Sequence, residues 1–136
     1  MKDASGQERA SVEEMRRFIA RKARRRKEKN AALWRKARQD AAEIVAMIAE
    51  RFAPRAIYQW GSVLDGSTFS DISDIDIAVE GIPSQELFFD LVGKAEAMTE
   101  FPLDIVEIER VEPEYARLIR TNGKRVYAGN AGKDAP

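Results

Sequence analysis

Two aspartates one residue apart, Asp74 and Asp76, stand in the stretch Ser73-Asp74-Ile75-Asp76-Ile77-Ala78-Val79. Polar and apolar residues alternate there, which predicts a half-buried strand over 73–80. Ile75, Ile77 and Val79 then share one face and can pack on helices. The two carboxylates share the other face, about 7 Å apart along the strand. Carboxylates that close repel and raise each other's pKa. A divalent cation between them removes that cost, and Mg²⁺ is commonly held by one or two carboxylates plus substrate phosphates. Upstream, Gly61-Ser62 ends a short apolar run and opens a loop rich in Gly, Ser, Thr and Asp. Glycine lets a backbone approach a ligand closely, and N–H groups at a helix start suit a phosphate.

The ordered set Gly61-Ser62, a short helical segment, then Asp74-Ile75-Asp76 and a later acidic strand, Phe101-Pro-Leu-Asp-Ile-Val-Glu-Ile, resembles the DNA polymerase β-like nucleotidyltransferase superfamily. The resemblance spans roughly residues 40–129, and the short chain looks most like the minimal nucleotidyltransferases. It implies Asp74, Asp76 and Asp104 as catalytic, metal-binding carboxylates, with Glu107 as the fallback for the third. It implies Gly61, Ser62, Gly66 and Ser73 as nucleotide-binding positions, Mg²⁺ as cofactor and ATP as substrate. Small members of this type act as antitoxins beside a HEPN-type ribonuclease toxin, which they can adenylylate on tyrosine. The loop departs from the family's Gly-Ser-Arg-x-x-Gly form. Val63 and Asp65 stand where cations would help hold phosphate, and Lys94, Lys124 and the N-terminal segment are the candidate replacements.

The elements that must position these groups follow in order. No Pro or Gly interrupts Ser11 to Ala53, so one or two long helices are expected, starting near Ser11 and ending before Pro54. Residues 1–10 are expected to fray. From Leu33, apolar residues recur at helical spacing through Trp34, Ala37, Ala41, Ile44, Ile48 and Phe52, which predicts a helix packed on the sheet. Strands are expected over 56–60, 73–80 and 103–109, with a short one over 125–128. Helices are expected from Ser84 to about Thr99, with Leu87 on its apolar stripe, and from Pro113 to Asn122, with Tyr115, Leu118 and Ile119 inward. The fold class is α+β: a small mixed sheet with helices on one face, carboxylates on the open face and a long N-terminal helical extension. The expected units are a basic extension over 1–36, the catalytic domain over 37–129 and a disordered tail over 130–136.

Composition narrows the chemistry. The 136 residues contain no cysteine and no histidine, so thiolate zinc sites, cysteine nucleophiles and histidine general bases are excluded. No apolar run is long enough to span a membrane, and a cytoplasmic protein is expected. The net charge of zero hides an asymmetry: residues 1–40 hold 14 Lys/Arg and 6 Asp/Glu, while 41–136 hold 9 and 17. Twelve cations against one acid between Arg16 and Arg38 suit a solvated helix, an acidic partner or nucleic acid. Three readings follow. The chain is a Mg²⁺-dependent enzyme that adenylylates a partner toxin, a weakly catalytic module of the same fold that neutralises by occlusion, or a nucleic-acid binder working through residues 16–38.

Overall fold

The computed structural model describes residues 4–129 of the chain. One helix, α1, runs unbroken over Ala4–Phe52. It therefore begins before Ser11, and the frayed segment expected over 1–10 is helical from Ala4 onward. The expected tail over 130–136 lies outside the described residues. Then follow β1 (Ala56–Trp60), a 3-10 turn (Gly61–Leu64), β2 (Ile75–Glu80), α2 (Gln85–Glu96), β3 (Leu103–Glu107), α3 (Pro113–Asn122) and β4 (Lys124–Ala128). Helix α1 ends at Phe52; Ala53, whose φ of 46° lies in the left-handed region, and Pro54 follow. Ser84 caps α2 as its spacing predicts, its hydroxyl accepting from the Leu87 N–H at 3.2 Å.

The four strands lie in the order β3-β2-β1-β4. β1 is antiparallel to β2 and β4, while β2 and β3 are parallel. This is the expected small mixed sheet with a long N-terminal helix. Ala37, Ala41, Ile44 and Ile48 of α1 and Leu91 and Ala95 of α2 bury Ile57, Ile75, Ile77 and Val79 on one face. The other face is not fully open. Ala116 and Ile119 of α3 close over Ala56, Tyr58, Ala78 and Ile108. Alternation in β2 and β3 suggests one bare face, but Ala78 and Ile108 are small or apolar enough to seat a helix there. The end carrying Asp76 and Asp104 stays accessible. Leu87 and Leu118, expected inward, are exposed.

A buried carboxylate sets where β3 begins. Asp40 on α1, only 2% exposed, accepts from Thr99 Oγ1 at 2.7 Å and Lys36 Nζ at 3.0 Å. Thr99 Oγ1 in turn accepts from the Phe101 N–H at 3.1 Å. Phe101 packs edge-on to the buried Phe69, with ring centroids 5.8 Å apart. The α2–β3 connection is thus tied to α1 through one side chain. Asp40→Ala should destabilise the fold by about 1–3 kcal/mol, because it strips the half-buried Thr99 hydroxyl of its acceptor. Urea unfolding of the two proteins measures this.

Candidate active site

The parallel register pairs Asp76 of β2 with Asp104 of β3. Neighbouring strands lie about 4.8 Å apart, and directly paired residues of a parallel ladder project to the same face. The two carboxylates are therefore side by side. Asp76 is half-buried and Asp104 is exposed. Burial first, then the charge of Asp104, then that of Asp74, pushes the Asp76 carboxyl up to about 6. Asp74 stands just before β2, which starts at Ile75 and not at Ser73. It is an exposed loop carboxylate at the edge of the pair, outside the strand ladder that the alternation suggests.

Gly61 meets this pair from β1. Trp60, the last residue of β1, is the cross-strand partner of Asp76. Gly61 follows with φ +79°, and a Cβ there would overlap the Asp76 carboxylate. Glycine is thus required twice, by its backbone angle and by the contact. Ser62 is half-buried, and its carbonyl accepts from the Asp65 N–H at 3.1 Å to close the turn. Ser73 closes a second turn ahead of Asp74, its hydroxyl accepting from the Ser70 N–H at 3.0 Å.

Several residues that the motif brings into question also have structural surroundings of their own. A Cβ at Gly66 would come within 2.6–2.8 Å of the Trp34 ring. That indole donates from Nε1 to the Val63 carbonyl at 2.9 Å. Trp34 therefore clamps the Gly61–Gly66 loop to α1, and this packing accounts for glycine at 66. Val63 is buried in the core. Asp65 accepts from the Ser67 hydroxyl and N–H, which hold its carboxyl below the usual range. Glu107 is buried toward α2, accepting from Gln85 Nε2 at 2.7 Å and pairing with Arg110 at 3.0 Å. That removes the fallback carboxylate from the site. Lys94 pairs with Asp90 on α2, against the opposite face of the sheet. Lys124 lines a cleft of about 520 Å³ with Arg38, Trp34 and Gln59, beside the loop. A further cleft of about 600 Å³ lies by Lys36 and Asp40, away from the carboxylates.

Sequence reasoning missed one residue at the site. Tyr115 on α3 is 37% exposed, and its ring stands edge-on to Trp60 with centroids 5.5 Å apart and planes at 89°. Burial, then the charges of Asp104 and Asp76, raise its phenol above the ordinary value. A helical stripe alone places Tyr115 in the core. Its real position follows from α3 crossing the carboxylate face, which spacing does not reveal.

The donor set is hard oxygen, and burial together with the charges of Asp104 and Asp74 raises the Asp76 carboxyl. Both features fit Mg²⁺. Among the described residues no three acidic groups converge into a ready-made metal cage. The arrangement is a pair with an outlying third, which suits an ion completing its shell with phosphate oxygens. No helix among the described residues is long and apolar enough to cross a membrane.

A family model described as "Polymerase beta, Nucleotidyltransferase" matches residues 42–131. No curated protein matches the sequence. Among solved structures, the fold is similar to a mutant of the toxin–antitoxin pair MntA–HpeT, with TM-score 0.56 and 18% identity over 69% of this chain and 77% of that one. A toxin–antitoxin structure with AMP-PNP gives 0.53 and 21% over 68% and 77%. A tri-AMPylated Shewanella oneidensis HEPN toxin in complex with MNT antitoxin gives 0.53 and 19% over 72% and 77%.

Two outcomes test this geometry. Gly61→Ala should displace the Asp76 carboxylate and weaken Mn²⁺ binding at least tenfold by calorimetry, while costing only about 1–2 kcal/mol of stability. Asp76→Asn should raise stability at pH 8 by about 1–2 kcal/mol, discounted for partial solvation from the full shift. The folded carboxyl holds its proton more tightly than the unfolded one, so the wild type loses stability as pH rises from about 4 to about 6. The advantage of Asn should therefore vanish near pH 4, as thermal melts across pH would show.

Proposed function

We propose, from the premise that this chain belongs to the polymerase β nucleotidyltransferase family, that it moves AMP from ATP to a hydroxyl of a partner toxin and so acts as an antitoxin. The observation that supports this reading best is the Asp76–Asp104 pair with Gly61 against it. The partner is inferred from the similar folds found in toxin–antitoxin complexes, one with a HEPN toxin. ATP is inferred from the similar structure with AMP-PNP. The setting would be cytoplasmic.

Asp76 and Asp104, with Asp74 at the edge, would hold Mg²⁺, which when bound neutralises phosphate charge and draws electron density from the α-phosphorus. Gly61 brings the backbone against the Asp76 carboxylate, and with Ser62 would leave room for the polyphosphate. Asp104, the exposed member of the pair, would take the proton of the acceptor hydroxyl. The acceptor oxygen bonds to the α-phosphorus, the bond to the β-phosphate oxygen breaks, and pyrophosphate leaves.

A second reading is favoured by the loop itself. Val63 is buried and Asp65 is tied to Ser67, so neither position offers phosphate a cation. In that reading the fold is kept and neutralisation is by occlusion.

With α-labelled ATP, Mg²⁺ and the partner toxin, Asp76→Asn and Asp104→Asn should each cut label transfer at least about 10²-fold. Undiminished transfer would overturn the site assignment. Full neutralisation of the toxin by both variants would favour occlusion.

A further inference from the structure

Helix α1 has a part that the catalytic body does not use. Residues 11–29 are all exposed, and the family match begins only at residue 42. At 1.5 Å per residue this arm is about 28 Å long. It carries nine Lys/Arg and three Asp/Glu. It is not simply polar. Val12, Met15, Phe18 and Ile19 fall within a sector of about 120° at 3.6 residues per turn, and all four are exposed. A lone helix gains nothing from such a stripe unless something covers it.

A complementary face lies on α2. Glu86, Phe89, Asp90, Gly93 and Glu96 share another sector of about 120°, and all five are exposed, Phe89 by 66%. A Cβ at Gly93 would meet nothing within 4 Å. Glycine in mid-helix is unfavourable relative to alanine, and no contact among the described residues requires it. It would let a second helix backbone approach closely. Glu86 and Glu96, with Asp90 that pairs with Lys94, and one aromatic around that flat spot match a basic helix with an apolar stripe.

We propose that the arm of one copy docks on the outer face of α2 of a second copy, reciprocally, in a two-fold pair. Because α1 continues unbroken to Phe52, an arm cannot fold back onto its own α2. Two arms facing each other would repel, whereas residues 1–40 at +8 and 41–136 at −8 attract across copies. Nucleic acid would engage the cations and leave the apolar stripe uncovered. A two-fold contact is self-complementary, so each copy supplies both halves. The inference is independent of the transfer reading.

Light scattering on the eluting full chain is the test. A dimer is expected at low salt, dissociating at high salt as the charges are screened. The double variant Met15→Glu, Ile19→Glu and the single variant Gly93→Leu should each weaken the dimer at least tenfold. Circular dichroism should show the Gly93→Leu helix retained, and Phe89→Glu provides a second lesion on the same face. An equal mixture of the arm variant and the Gly93→Leu variant should recover dimer, since one brings an intact face and the other an intact arm. A chain that is monomeric at every concentration overturns the proposal, even if arm changes weaken binding to RNA or to a toxin. So does a dimer indifferent to either lesion, or a mixture that recovers nothing.

Discussion

The pairing of β2 with β3 is the constraint on which the site depends. Parallel neighbours cannot be joined by a tight turn, so the chain must leave β2, cross the sheet as α2 and return. The ladder extends past both strand ends, with the Ile75 N–H donating to the Pro102 carbonyl and the Ile108 N–H to the Val79 carbonyl, both at 2.9 Å. That register brings together two acids 28 positions apart in sequence. A slip of one residue would send Asp104 to the opposite face, among the apolar side chains beneath α1 and α2. Asp40, Thr99 and Phe101 act on the same quantity from a distance, because they fix where the returning chain begins its strand.

Holding two like charges together costs stability. The apolar layer on the α1–α2 side, with Ile75, Ile77 and Val79 fully buried, offsets that cost within the same strand. One side of β2 stabilises what the other side strains. Such division is a common way for a fold to keep charged groups close although removing them would favour folding. Gly61 adds a steric element. Its missing side chain is what permits the bend to rest against Asp76.

Much of this is legible in the sequence alone. Alternation identifies β2, the Ser84 cap places the start of α2, and Pro113 with Gly123 frames α3, because these signals are local and backbone chemistry enforces them. The acids Asp74, Asp76 and Asp104 are legible as types and order, and only the register makes Asp76 and Asp104 neighbours. Less is legible where two elements compete for a face. The stripe on α3 gives Tyr115, Leu118 and Ile119 as core; Ile119 is buried, yet the helix crosses the sheet so that Ala116 joins it in place of Tyr115 and Leu118. Gly66 reads as part of a ligand loop, because the partner that explains it, Trp34, lies 32 positions earlier. The family match confirms the class of fold.

Trp34 has one more implication. Its indole holds the Val63 carbonyl and lies flat against Gly66, with the Arg38 guanidinium 4.7 Å above the ring. It sits five residues after the last fully solvent-facing position of the arm, on the same uninterrupted helix. A helix is stiff over that distance, so a torque or tilt imposed on its free end is delivered to the glycine bend as a displacement of the indole. Whatever grips the outer end of α1 therefore has a mechanical handle on the mouth of the acidic pair.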